Sequence, residues 1–292
     1  MIIKPSRDVK RYAMKKTDES ERKAIKVEFR DQAYAEKVST RIWQEQASES
    51  NPYIGQDVRI HGYNYKDLIM KSSFSDTLYL MLTGELPDKA RAKLLERTLC
   101  AFANVGPRNN AVRAATTAGV SRAFDTHVLP IGMLVLGGKH QGCGDLAAAI
   151  SFLTSHVDID TSEAVATSLQ TIEGNSVSSS TSIIAGFGNY YGSHDPLAAD
   201  IAECLLDVEG DWKYLQWAKH FSGALNTANN EWHWLREGIF AAVCCDLNIP
   251  KVMAAALYQL CHAPGLIAHG FEHAGSPTTV LPFVSDDDYE IN

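Results

Sequence analysis

The sequence lacks any long hydrophobic run. Its longest nearly uninterrupted apolar stretch, Val128 to Leu136, falls far short of the ~20 residues that a membrane span needs. The first residues hold no apolar signal core either, so the expectation is a cytoplasmic protein with no membrane partner. Cysteine is sparse. The six residues Cys100, Cys143, Cys204, Cys244, Cys245 and Cys261 carry no CxxC spacing and are expected to be reduced structural thiols. Positive charge is also in short supply: 27 Lys and Arg stand against 35 Asp and Glu, a formal charge of −8. A nucleic-acid surface needs clustered cations, so no such partner is expected. One local exception is the N-terminal arm, residues 1–40, which holds 11 basic and 7 acidic side chains. It reads as a solvated arm, with a partner-binding or phosphate-contacting role as the alternative.

Strand patterns are scarce as well; only Ala24 to Phe29 and Gln56 to His61 look extended. What the sequence does have, over 292 residues that are 45% hydrophobic and 21% charged, is helical periodicity. Apolar residues recur at helical spacing from Tyr65 to Leu82 and stop at Gly84, which predicts one buried helix with a left-handed cap. Pro87 suits the first turn of the next helix, which Gly106 and Pro107 end. Similar patterns fill Arg113 to Leu136, Gly144 to Ser155, Thr161 to Thr171, Pro196 to Leu206, Trp212 to Phe221, Gly238 to Leu247 and Pro250 to His262. The expected fold class is all-α with a short N-terminal β-hairpin. Two glycine- and serine-rich stretches, Gly137 to Gly144 and Gly174 to Asp195, interrupt the helices, and such loops are where sites sit.

Three segments hold residues that could carry chemistry. In GGKHQGCG, glycines surround His140 and leave its imidazole little shielded. Such a histidine can donate to a carbonyl oxygen and stabilise an enolate; a capped loop histidine is the alternative. In GFGNYYGSHDP, three glycines and two tyrosines could wrap a flat or phosphate-bearing ligand. The spacing supports neither a Rossmann nor a P-loop site. His194 beside Asp195 reads as a tuned pair or as an exposed turn. In NNEWHWLREGIFAAVCCDLNIP, Glu237 precedes a strongly apolar helix, where burial could raise it into the range of a general base. It could equally be a first-turn carboxylate favoured by the helix dipole. His220, Glu231 and His233 lack the spacing of a metal site, so no metal is expected.

Taken together, these segments resemble the citrate synthase superfamily, and more closely its shorter citryl-CoA lyase branch, which includes the lyase part of ATP-citrate lyase. RIHGYNYKDLIMKSSFSDTLYLMLTGELP is similar to the family's RGYD…DLI…SF…LYLLLTGELP. GGKHQGCGDLAAA is similar to its GPxHGGA element, GFGN…DPLA to GFGHR…DPRA, and APGLIAH to RxPGLVAH, in the same order from Arg59 to His269. The resemblance implies a helical homodimer. It divides the chain into the arm, a large helical domain of residues 41–145 and 232–292, and a small helical domain of residues 146–231, closing over an acyl-CoA and an oxo-acid.

Carried over by position, the thioester histidine matches His140, and the aspartate base falls on Glu237, one methylene longer. The second catalytic histidine falls on Asn189, the arginine after it on Tyr190, and the DPR arginine on Leu197. The RxPG arginine falls on His262 and the lyase histidine before a glycine-proline pair on Val105. Gly186, Phe187 and Gly188 match the CoA-binding loop. Losing the arginines removes charge-assisted clamps for a dicarboxylate, so oxaloacetate or citrate should bind poorly. Tyr190, Tyr191 and His262 could line a pocket for a less charged electrophile, with Arg108 or Arg113 as a replacement cation. The expected function is formation or cleavage of a C–C bond through an acyl-CoA enolate, with His140, Glu237 and Asn189 as the catalytic set. The oxo-substrate is one other than oxaloacetate, and the CoA thioester is a substrate with no further cofactor. A conventional citryl-CoA lyase or citrate synthase, and an inactive homologue that binds a ligand or partner, are the alternatives.

Overall fold

Serine caps and backbone reversals cut the helices at points where apolar periodicity runs on. A computed structural model of the chain describes residues 39–174, 182–190, 193–228, 232–282 and 284–290; Ala24 to Phe29, Tyr191 and Glu231 lie outside them. Strands β1 (Trp43–Ala47), β2 (Gly55–Ile60) and β3 (Tyr63–Asn64) form an antiparallel sheet in the order β1-β2-β3. The expected strand at Gln56 to His61 thus falls on β2, which pairs with β1 on one side and β3 on the other.

The single helix expected from Tyr65 to Leu82 is two helices, α1 (Tyr65–Lys71) and α2 (Phe74–Thr83). Ser73 breaks it. Its hydroxyl accepts from the Asp76 N–H while the Asp76 carboxylate accepts from the Ser73 N–H, a reciprocal cap that starts a new helix. Ile69 and Phe74, expected in the core, are exposed. The next helix, α3 (Lys89–Ala101), starts two residues after Pro87 because Asp88 caps it through the Arg91 N–H. Likewise the pattern from Arg113 to Leu136 is α4 (Asn110–Val120) and α5 (Asp125–Leu136), separated at Arg122, whose φ is +56°.

Helices α6 (Cys143–His156) and α7 (Thr161–Gly174) follow, then strands β4 (Ser182–Ile184) and β5 (Phe187–Gly188). Helix α8 spans Pro196–Leu206, as its sequence pattern predicts, and α9 is Lys213–Ala228. The N-terminus of α9 is capped from a distance by Asp246, whose two oxygens accept from Tyr214 and Leu215 N–H groups at 2.9 Å each. Strand β6 (His233–Trp234) leads into α10 (Arg236–Asp246), and α11 (Lys251–Glu272) completes the helices. Every residue of α10 from Glu237 to Cys244 is buried, as befits an all-round apolar helix at the centre of a domain. It packs against α6, α9, α3 and α11, with Phe240 edge-on to Phe102 and Tyr258.

Helix α11 was expected to end at His262; instead it runs through Pro264 to Glu272. Proline inside a helix removes one donor and disturbs the ladder. The freed Gly265 N–H finds another acceptor, donating to Ala103 O at 2.8 Å. A side chain at Gly265 would meet Ala103 O and Asn104 Cα at 2.7 and 2.8 Å, so the Pro-Gly pair lets the turn after α3 sit directly on α11. Among the described residues no helix is long and apolar enough to cross a membrane.

Candidate active site

Two backbone contacts build the site. The β4–β5 hairpin turns at Gly186, with φ +86°, and Gly186 O accepts from the Leu235 N–H at 3.0 Å. A Cβ on Gly186 would lie 2.9 Å from Gly238 Cα, and one on Gly238 would strike the Gly186 carbonyl. This glycine pair lays the hairpin turn on the start of α10. Strand β5 then pairs with β6, Phe187 opposite Trp234 and Gly188 opposite His233, so Asn189 and Tyr190 emerge beside the first turn of α10. Phe187 anchors the arrangement, fully buried against Phe221, Phe152 and Trp234. On the opposite wall the loop Val105–Asn109 is fixed by the Ala103–Gly265 bond and by Asn104, whose Oδ1 accepts from the Gly106 N–H at 2.8 Å.

Between these walls lies a cavity of about 420 Å³, within the usual size range of small-molecule sites. Glu237 forms part of its wall and is only 4% exposed. The Tyr190 hydroxyl donates to Glu237 Oε2 at 2.9 Å, and the Tyr258 hydroxyl donates to Oε1 at 3.4 Å. Burial pushes the Glu237 carboxyl up from its ordinary range, while hydrogen bonds and the nearby Arg236 pull the other way. Both phenols are pushed up by burial and by the Glu237 charge, which keeps them protonated and donating. Asp195 joins two helix starts. One oxygen caps α8 through Leu197 and Ala198, and the other accepts from Arg236 Nε and lies 3.0 Å from its Nη2. The rings of His194 and His233, both in the lining, sit 4.1 Å apart between centroids. Among the described residues no cluster of three or more His, Cys, Asp or Glu could hold a metal ion.

No protein-family model and no curated protein matches the sequence. Solved structures do. A citryl-CoA lyase from Hydrogenobacter thermophilus matches at 22% identity and TM-score 0.68, over 87% of this chain and 94% of that one. An ATP citrate lyase from Methanothrix soehngenii, in complex with citrate and coenzyme A, matches at 14% identity and TM-score 0.66, over 90% of this chain and 44% of that one. The fold is shared with these two lyase structures. A citrate synthase from Thermoplasma acidophilum, in a ternary complex with carboxymethyl coenzyme A and oxaloacetate, matches at 17% identity and TM-score 0.57, over 76% of this chain and 58% of that one.

Within this citrate synthase-like fold the cavity gathers Glu237, Asn189, Tyr190 and Arg108, four of the residues singled out from sequence. His140 is not among them: it is exposed, and its neighbour Gln141 takes the place in the lining. Gln141 has φ +52°, and its N–H donates to Asp145 at 2.7 Å, which fixes the loop in that presentation. Arg113 is exposed on α4, outside the lining. Gly186, Phe187 and Gly188 are buried and serve packing. His262, expected at the substrate, is 1% exposed in the core, packed against Tyr258 and Phe102. Its Nδ1 lies 2.7 Å from Tyr258 O, and burial lowers its pKa to about 4. Sequence reasoning missed Tyr258, Arg236 and Gln141. Arg236 stands next to Glu237 and was within reach of it, whereas Tyr258 lies 21 residues from Glu237 on another helix and no local pattern points to it.

Proposed function

We propose that the chain forms or cleaves a C–C bond through an acyl-CoA enolate, with Glu237 exchanging the α-proton. Glu237 itself carries this reading: a carboxylate almost wholly buried in a cavity wall, held by two phenols. A thioester α-proton is far less acidic than any side chain acid, so its base must be strong yet still ionised when substrate arrives. Burial supplies the basicity, and the Tyr190 donor and Arg236 favour the ionised form. Asn189 lines the same cavity and can orient the carbonyl of the second substrate. Arg236 is committed to Asp195, which makes Arg108 the cation for an oxo-substrate other than oxaloacetate. The cavity has room for an acyl thioester and a small carbonyl compound, with the rest of CoA outside it. CoA enters as substrate, with no separate cofactor. The complexes of the ATP citrate lyase and the citrate synthase with CoA or a CoA derivative support this class of ligand.

A homodimer belongs to the same reading. Met253, Leu260 and Ile267 recur every seventh residue along α11, and all are exposed, which gives a stripe suited to a second copy. Light scattering should return about twice the 32.0 kDa chain mass; a monomeric mass removes the dimer.

The test of function is deuterium exchange from heavy water into the α-position of acetyl-CoA and propionyl-CoA, read by mass spectrometry. The native protein should exchange and Glu237→Gln should not, while CoA binding persists. Equal exchange in the variant removes Glu237 from the mechanism. Absence of exchange with every acyl-CoA favours the second reading, a ligand-binding homologue without turnover. The replacement of two family histidines by Asn189 and Val105 supports that alternative.

A further inference from the structure

An enolising site needs two groups side by side. The base meets the α-hydrogen, and a donor meets the oxygen on the adjacent carbon, where charge develops as the proton leaves. The resemblance assigns the second role to His140, but His140 is exposed and outside the cavity that holds Glu237. In contrast, Tyr190 lines that cavity and places its hydroxyl 2.9 Å from the Oε2 of Glu237. We propose that Tyr190, rather than His140, donates the hydrogen bond that holds the thioester oxygen while the α-proton is removed. The proposal rests on Glu237 being the base.

The step balances with the groups on hand. As the acyl group seats, the Tyr190 O–H turns from Glu237 Oε2 to the thioester oxygen, and Oε2 loses a donor and becomes more basic. The α C–H bond then breaks and its proton passes to Oε2. The electron pair of that bond forms the C=C bond, and the carbonyl π pair moves onto oxygen, where it is held by Tyr190. Tyr190 keeps its own proton, as the burial that pushes its pKa upward requires. The second phenol, Tyr258, remains on Oε1 and holds the carboxylate in place throughout. The two tyrosines thus divide the work by location: Tyr258 is buried on α11, while the half-buried Tyr190 follows a hairpin strand. The chemistry parallels known enzymes in which a neutral phenol serves an oxyanion.

The experiment reads the donor and the base separately. Infrared difference spectra of acetyl-CoA labelled with ¹³C at the thioester carbonyl report the hydrogen bond to that oxygen without turnover. On binding the native protein, the carbonyl band should move to lower wavenumber. Tyr190→Phe should abolish the shift, and His140→Asn should retain it. Fluorotyrosine in place of tyrosine preserves the side chain, sharpens the donor and should enlarge the shift, which guards against a Phe variant that fails to fold. In parallel, α-proton exchange should fall about 100-fold or more in Tyr190→Phe and stay within twofold of native in His140→Asn. A band that does not move, that still moves in Tyr190→Phe, or that stops moving in His140→Asn overturns the assignment. A Tyr190-dependent band in a protein that exchanges no proton overturns Glu237 as base, and the enolate role of Tyr190 falls with it.

Discussion

The contact between Gly186 and Gly238 makes a prediction about one substitution with two consequences. In Gly238→Ala the new methyl would strike the Gly186 carbonyl oxygen, which is itself held by the Leu235 N–H. Backbone cannot swing aside as a flexible side chain can, so the hairpin turn must lift from α10. Overpacking of this kind costs about 1–3 kcal/mol. For a chain of this size each kcal/mol lowers Tm by roughly 2–4 °C. A loss near the middle of the range therefore lowers Tm by about 4–8 °C. The same movement carries Tyr190 away from Glu237, so α-proton exchange should fall by more than the loss of folded protein explains. Gly223 gives a control of opposite sign, because a methyl there meets nothing within 4 Å on the exposed side of α9. Gly223→Ala should gain about 0.5–1 kcal/mol from helix propensity. Differential scanning calorimetry of the two variants beside native protein checks both signs. A Gly238→Ala protein with native Tm and native exchange would refute the account of how the hairpin is seated.

Two pH effects of opposite sign follow from buried groups. His262 has a folded pKa of about 4 against an ordinary 6.5. Stability is therefore unaffected by this group above pH 6.5 and is lost as pH falls from 6.5 towards 4, by about 3 kcal/mol in all; His262→Phe should remove that component from urea titrations. Asp246 is raised by burial to about 6 from 3.8, so its contribution is most favourable below pH 3.8 and is lost as pH rises through 6. Asp246→Asn should flatten that window, and an unchanged pH profile of unfolding would refute the assignment.

Local chemistry made much of the fold legible. Apolar spacing located the helices, a proline at the first position fixed the start of α8 at Pro196, and the scarcity of alternation excluded a large sheet. The order of the motifs brought His140, Glu237 and Asn189 forward as the catalytic set, with Tyr190, Tyr191, His262, Arg108 and Arg113 as candidate substrate contacts. Periodicity records which face of an element is apolar and is blind to interruptions that keep the same face. For that reason the breaks at Ser73 and Arg122 leave no trace in the apolar spacing, and α11 runs past His262 because a carbonyl from another segment satisfies the helix that Pro264 disturbs.

What the sequence by itself determined was the fold class, because helical periodicity depends on residues close together in the chain; the carboxylate came forward only through the order of motifs along the whole chain. Tertiary structure alone decided which groups share the cavity. It placed Tyr258 on Glu237, Gln141 rather than His140 in the wall, Arg108 rather than Arg113 at the cavity, and His262 in the core. The physical reason is that these relations depend on angstrom-scale approaches between distant segments, such as Gly186 on Gly238 and Gly265 on Ala103. No spacing within either segment encodes which partner it will meet.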